Sequence, residues 1–556
     1  MILGTAWLIR RVRKRTRAQA TSSQTSYLVV LALVALASFA LSLVATHFLP
    51  PIAFFSLPTR AWQLAVGGLI ALTAGRWRRL PPALAAIAGW VGLGLILLGC
   101  AILGTSTPYP GTASLLPVLG TALVIGTGCA APSWGCGRVL AVTPMRAIGR
   151  VSYSWYLWHW PVLLFAPPLL GHALGLTARL TAAAVSGVLA VLTLHFVENP
   201  LRFASFMRRS PGRSLALGGL ATAVAVAVSG ALLVVVPAPV GRGAPAAPLT
   251  VTAASPPTGD NIHLYDEAVR DAFAQVQAAV AASVNLKAVP SNLVPPLSDA
   301  AAEKQAIMRI GCLRNFLQVE QPECATGDTT SATTVALIGD SNAAMWSPAF
   351  QRVAEQRHWR LETLDKAGCP LIDLPIFNPY MHREYTECEQ WRSQIVPRLQ
   401  AGHPRLVVVS VTRTYGDRYG YPAGFTSYDP PWIDSMGRLV RQLRSTGAKV
   451  LVLGPIPDPG ALMPFCLSAH LDDATACSPP RSTAVNEAGI ATETAATKAG
   501  GGQYADLTKL FCTADRCPVI VGNTLVYVDE AHVSIEYSRQ LAPVMAALAD
   551  RALAGD

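Results

Sequence analysis

Apolar positions dominate the first two-fifths of the chain and thin out afterwards. Seven apolar runs, near 26–49, 58–75, 82–104, 111–130, 152–170, 176–197 and 215–237, are long enough or nearly so to cross a bilayer, which needs about 20 residues. From about residue 262 the pattern changes. "YDEAVRDAFAQVQAAVAASV" has helical periodicity, and short β-rich runs then alternate with amphipathic ones. "TVALIGDS", "RLVVVSVT" and "KVLVLGPIP" read as strands. "AAMWSPAFQRVAEQR", "WIDSMGRLVRQLRSTG", "STAVNEAGIATETAATKAG" and "YSRQLAPVMAALADRAL" read as helices. Strands alternating with helices predict a parallel sheet covered on both faces, a doubly wound α/β domain. Between the two patterns, residues 238–261 are rich in Pro, Ala, Gly and Thr and read as a linker. The expected division is a membrane domain over 1–237, the linker, and a globular domain over 262–556.

Charge gives the membrane part a direction. Only 14% of the 556 residues are charged against 51% hydrophobic, where a soluble protein carries about 25% charged. The net charge of +11 is no nucleic-acid footprint, because the basic residues cluster in short loops between apolar runs. Arg10 to Arg17, Arg76 to Arg79, Arg138 to Arg150 and Arg202 to Arg213 alternate with loops nearly free of basic charge. That asymmetry places the basic loops in the cytoplasm and, after seven spans, the globular domain outside. The opening "MILGTAWLI" is too short to span and reads as the inner end of a helix whose outer part precedes residue 1, so a truncated start is expected.

Cysteine usage agrees with export. Cys100, Cys129 and Cys136 lie in the membrane half. Cys312, Cys324, Cys369, Cys388, Cys466, Cys477, Cys512 and Cys517 lie outside and read as disulfides. Sequence neighbours pair by proximity, although the sequence leaves the connectivity open. A zinc site is the competing reading, with neither a C-x₂-C pair nor a histidine cluster to support it.

Two stretches carry candidate chemistry. Ser341 in "VALIGDSNAAMW" stands just past a strand end, where parallel sheets gather their sites and a helix N-terminus favours an oxyanion. A serine nucleophile needs a base oriented by a carboxylate, and "YVDEAH" offers Asp529 three residues before His532. Gly-Asp-Ser alone is more often an ordinary turn, and Asp260 with His263 repeats the Asp-x-x-His spacing in the linker. The pair at the first strand and last helix of one domain is the stronger signal. His358, His382, His403 and His470 lack such a setting and read as surface residues. In the membrane half, "SYSWYLWHWP" buries His159 in an apolar run, a costly position and a functional hypothesis by default. Its aromatic neighbours also fit an interfacial belt, and Pro161 would kink the helix.

"GDSNAAMW" with "VDEAH" resembles the SGNH hydrolase superfamily, in the branch fused to bacterial membrane acyltransferases. The resemblance implies Ser341 as nucleophile, Asp529 and His532 as its triad partners, and an oxyanion hole from Ser341 N–H and Gly368 in "KAGCP". A histidine usually follows the serine in that branch, where this chain has Asn342; the superfamily's third-block asparagine has no clear match near "VVVSVTRTYG". "FFSLPTRAWQLAVGGLIA", "SYSWYLWHWP" and "FVENPLRF" resemble acyltransferase family 3 over residues 1 to about 205. Its members have about ten spans, with their catalytic histidine in a helix this chain lacks, and usually a glutamate where Gln63 stands. His159, Arg60 and Glu198 match motif positions and take structural or substrate-path roles. The resemblance implies a membrane O-acyltransferase with acyl-CoA as donor and an extracytoplasmic glycan or glycolipid as acceptor. It requires no metal or bound cofactor and no nucleic-acid partner. An esterase of envelope acyl esters, or a transporter with a glycan-binding outer module, are the alternatives.

Overall fold

The structure is a computed structural model that describes residues 22–48, 50–104, 107, 109–130, 134–170, 174–204, 211–235, 238–252, 255–259, 261–309 and 313–555. The chain divides into two compact units, with the main boundary after residue 236.

The first unit is helical. All seven apolar runs form helices: α1 (Ser22–Phe48), α2 (Leu57–Leu72), α3 (Pro82–Ile102), α4 (Leu115–Gly128), α5 (Thr143–Leu170), α6 (Leu176–Thr193) and α7 (Pro211–Val235). Among the described residues, four helical stretches, Gln24–Thr46, Pro82–Ile102, Leu176–Phe203 (α6 and the helical turns that continue it) and Gly212–Leu232, are long and apolar enough to cross a membrane. With hydrocarbon as apolar as leucine, such helices hold together through close backbone approach and polar contacts. Both occur here. A Cβ on Gly92 of α3 would lie 2.7 Å from the carbonyl of Gly120 of α4, so glycine sets that contact. Between α1 and α2, Ser38 Oγ donates to the Pro58 carbonyl at 2.5 Å and accepts the Trp62 N–H at 2.9 Å. The aromatic cluster of α5, which runs unbroken through Pro161, splits by role. Trp155 and Trp158 donate to Ser186 Oγ and Thr193 Oγ1 at 2.9 and 2.8 Å and tie α5 to the neighbouring chain 183–193, whereas Tyr153, Tyr156 and Trp160 are exposed.

The second unit is an α/β domain. Residues 238–252 carry no helix or strand of their own and lie along it: Gly243 exchanges backbone hydrogen bonds with Val289 and Ser291, and Leu249 is buried in its core. Helices α8 (Ile262–Ser283) and α9 (Ala300–Ile307) follow. The sheet contains β1 (Ala325–Gly327), β2 (Thr334–Gly339), β3 (Arg360–Asp365), β4 (Leu406–Ser410), β5 (Lys449–Leu453) and β6 (Gln503–Ala505) in the order β1-β3-β2-β4-β5-β6. All neighbours are parallel except edge strand β1, which runs antiparallel to β3. The intervening helices are α10 (Ser341–Arg357), α11 (Thr386–Gly402), α12 (Pro430–Arg444) and α13 (Glu487–Ala499), followed by α14 (Ile535–Gln540) and α15 (Ala542–Ala554). Strands buried on both faces need continuous apolar runs, and β4 supplies one in "LVVVS", buried throughout. Val335 and Leu337 of β2 face a core shared with α8, α10 and α15. The closing helix expected from 537 divides at Leu541, just ahead of Pro543, which stands where a helix can begin but not continue.

Candidate active site

The corner that carries Ser341 begins with a close approach. Gly339 ends β2, and a Cβ there would lie 1.8 Å from the Ser410 carbonyl, so only glycine lets β2 and β4 pair to their last residues. Asp340 then leaves the strand and caps α10, its Oδ1 accepting the Asn342 N–H at 2.8 Å. Its Oδ2 accepts from Thr412 N–H and Tyr415 O–H, both at 2.9 Å. Burial pushes the Asp340 carboxyl up, and these three donors pull it back only in part. The effect is to tie the ends of β2 and β4 together immediately before Ser341, the first residue of the helix.

The sequence-predicted Ser341, His532 and Asp529 meet here. Ser341 Oγ lies 2.9 Å from His532 Nε2, and His532 Nδ1 lies 2.8 Å from Asp529 Oδ2. With Nδ1 on a carboxylate, the neutral ring carries its proton there and leaves Nε2 to accept the serine hydroxyl. Asp529 Oδ1 also accepts the N–H groups of Ala531 and His532, each at 2.7 Å, so the Asp-x-x-His spacing closes a turn around its own carboxylate. Burial alone would raise the Asp529 pKa. The His532 hydrogen bond and charge, Lys304 and the Ala531 N–H outweigh it and hold the carboxyl well below the usual range. Both Asp529 and His532 are buried, while Ser341 is partly open.

A cavity of about 210 Å³ is lined by the immediate neighbours of these residues, Asn342 and Ala531, with Thr412, Thr414, Tyr428 and Asn486. The Asn342 Nδ2 is buried without a hydrogen-bond partner. Gly368 occupies the loop after β3, beside β2, with φ of 58°, a left-handed conformation that favours glycine. That loop is anchored by the Cys369–Cys388 disulfide. Just before it, Lys366 is buried with Nζ donating to the carbonyls of Gln318 and Asn315 at 2.6 and 2.8 Å, and burial lowers its pKa to about 8. Asp365 is buried with neither carboxyl oxygen hydrogen-bonded, and burial raises it to about 8.

Disulfides join Cys369 to Cys388, Cys466 to Cys477 and Cys512 to Cys517. Cys324 is disulfide-bonded, and its expected partner Cys312 lies outside the described residues. No group of three or more His, Cys, Asp or Glu side chains able to hold a metal ion occurs among the described residues. His358, His403 and His470 are exposed and His382 half-buried.

The membrane-half candidates are not drawn to one another by any contact among the described residues. Arg60 lies over the rings of Phe54 and Tyr109, with centroid distances of 4.5 and 5.5 Å. His159 Nδ1 faces the Tyr156 carbonyl. Glu198 closes a π-helical turn, Leu194–Glu198, accepts from Ser154 Oγ at 3.1 Å and pairs with Arg202 at 3.5 Å. Sequence reasoning missed Lys304 and Glu303, which carry no motif; only their distance contacts reveal them. Asp340, by contrast, was in view within Gly-Asp-Ser, and its capping position was the available signal.

A serine at the start of the helix after a parallel strand, with an Asp-x-x-His turn returned to it near the last helix, defines a serine-hydrolase-like α/β domain. Here it follows a multi-helix membrane unit. Family models match both parts: an SGNH domain, of the kind fused to AT3 domains, over residues 311–547, and an acyltransferase domain over 7–196. The chain therefore carries an acyltransferase domain followed by a C-terminal SGNH domain. The Putative peptidoglycan O-acetyltransferase YrhL of Bacillus subtilis is 28% identical over 172 residues, and Peptidoglycan O-acetyltransferase OatA of Listeria monocytogenes 25% over 171. Each match covers 29% of this chain and only 27% of the relative's length. The periplasmic domain of a Salmonella ser. Paratyphi A lipopolysaccharide acetyltransferase overlaps 45% of this chain and 94% of its own, at 14% identity and a TM-score of 0.33, too loose a likeness to carry the fold.

Proposed function

We propose that this chain is a membrane O-acyltransferase that moves an acyl group, acetyl first among them, to hydroxyls of an extracytoplasmic glycan through Ser341, His532 and Asp529. The observation that carries the reading is the unbroken contact from Ser341 Oγ through His532 to Asp529, at 2.9 and 2.8 Å, beside a cavity of about 210 Å³. Ser341 Oγ attacks the acyl carbonyl while His532 Nε2 takes its proton. His532 returns that proton to the leaving group as the acyl–oxygen bond breaks. The acceptor hydroxyl then gives its proton to His532, attacks the acyl-serine and releases Ser341, which recovers the proton. Asp529 holds the ring in the tautomer that each step needs.

The oxyanion is held by the N–H groups of Ser341 and Gly368 in this scheme. The Asn342 N–H is already engaged by Asp340, which removes the next candidate along the helix. We read 1–237 as the membrane domain, 238–261 as the connector and 262–556 as the outer domain. On this reading the basic loops face the cytoplasm, acyl-CoA there gives up its acyl group from sulfur, and the membrane helices deliver it as the ester whose acyl–oxygen bond Ser341 breaks. The glycan acceptor rests on the relatives' names as peptidoglycan O-acetyltransferases. Arg60, His159 and Glu198 shape or line the membrane part rather than react.

The test is intact-mass measurement of the full chain in detergent after mixing with an activated aryl acetate. One acetyl gained by the wild type and lost in Ser341→Ala is the expected result. No adduct and no turnover in the folded, oxidised protein overturns the triad. Adding glycan fragments then shows whether the acyl group passes to sugar or to water.

A further inference from the structure

The catalytic loop is gripped from outside the part of the chain that the SGNH model matches. Helix α9, Ala300–Ile307, precedes residue 311, where that match begins. Two adjacent side chains of α9 reach the loop that carries Asp529 and His532. Lys304 Nζ lies 2.8 Å from Asp529 Oδ2, the same oxygen that faces His532 Nδ1. Glu303 Oε1 accepts the Ile535 N–H at 2.6 Å, at the start of α14 just beyond the histidine. One turn of helix therefore holds both ends of a seven-residue loop, a carboxylate at one end and a backbone donor at the other.

We propose that Lys304 is a positioning residue of the active site: by sharing Asp529 Oδ2 with His532, it fixes the carboxylate and sets the basicity of the imidazole. The inference rests on the Ser341–His532–Asp529 reading. Its physics is a charge argument. A carboxylate attracts the proton on His532, and an ammonium at 2.8 Å offsets part of that attraction. Removing Lys304 leaves Asp529 the more effective partner for the imidazolium. Because the histidine must be neutral to act as base, activity on the acid side falls. The other charged groups around the loop are Glu303 on α9, Glu530 beside the cavity, Glu536 and Arg539 on α14, and Asp340 before Ser341. All remain in a Lys304 variant, so the difference between variant and parent reads Lys304 alone.

Lys304 is about half exposed, and water and salt screen it. The expected shift is therefore modest, about half a pH unit, which is about threefold in activity on the acid limb.

The experiment is the pH profile of kcat/KM for aryl acetate turnover by the full chain in detergent, for the wild type, Lys304→Met, Lys304→Arg and Ser341→Ala. In Lys304→Met the acid limb moves to higher pH; in Lys304→Arg it returns towards the wild type, and added salt narrows the gap. A merely structural role would lower activity at every pH and leave the limb in place. A Lys304→Met limb superimposed on the wild type, in a protein whose turnover Ser341→Ala abolishes, overturns the inference and leaves the triad standing. Turnover that survives Ser341→Ala overturns both.

Discussion

The two halves of this molecule handle polar groups in opposite ways. Residues 1–237 contain a single acidic residue, Glu198, and the membrane helices turn leucine, valine and aromatic side chains outward. Their cohesion comes from glycine contacts and from hydroxyls that bond backbone or indole. In the second unit, proposed above as the outer domain, the apolar residues go inward, and charge goes in with them: Asp340, Asp365, Lys366 and Glu493 are all fully buried. Glu493 is paired with Arg413 at 2.9 Å, and Lys366 sits in a cage of carbonyls. Burying a charge is costly unless partners are fixed in place. A rigid, disulfide-tied α/β scaffold provides such partners, and a reacting serine needs them. The contrast teaches where the chemistry can be built: in the half that can hold several polar groups at fixed distances.

The largest expected effect tests that division directly. His532→Ala should lower aryl acetate turnover by about 10³-fold or more, since the base is lost. His159→Ala should change it less than about tenfold in the same assay. Equal losses would mean that the membrane histidine takes part in ester chemistry. Packing gives the next contrast. Phe350, 1% exposed on α10, should cost about 3–5 kcal/mol of outer-domain stability on truncation to alanine. Phe165, 61% exposed on α5, should leave the midpoint of thermal unfolding unchanged in detergent.

The buried carboxyl of Asp365 gives a pH signature. Its folded pKa is raised by burial to about 8, so it stabilises the fold below its unfolded value and loses that contribution as pH rises through 8. Asp365→Asn should flatten the decline in outer-domain stability between pH 5 and 9 by a few kcal/mol, read from denaturant midpoints. A decline of the same slope in the variant would place its origin elsewhere. The smallest effect separates the cysteines. Cys388→Ser opens a disulfide that spans 19 residues and should cost about 3 kcal/mol. Cys129→Ser, where the thiol is free, should cost nothing measurable in the outer domain.

Much of this was legible in the sequence, for a physical reason. Periodicity is local, so the seven apolar helices of the first unit and the strands β2, β4 and β5 could be read from their own residues. Ser341 and Asp529 with His532 were also legible, because each part carries its own turn: a helix cap at Asp340, and an Asp-x-x-His loop closed on its own carboxylate. What the sequence hid is what depends on distant chain. Edge strand β1 is three residues long and takes its direction from β3. Residues 238–252 have a linker's composition yet bond to Val289 and Ser291. Lys304 looks like any helical lysine until the loop carrying Asp529 folds against it. Nothing in the sequence around Asp365 and Lys366 signals their burial, and the carbonyls that receive Lys366 Nζ come from residues 315–318.

On the proposed reading, the separation of the nucleophile from its base also has a meaning in time. His532 follows Ser341 by 191 residues, and Lys304 precedes both. A ribosome therefore releases the clamp first, the serine next and the base long afterwards. While β2 to β5 are assembling, the growing chain displays a serine with no histidine to deprotonate it. If the proposed triad holds, a stalled or prematurely ended chain that lacks residue 532 has the serine without its base.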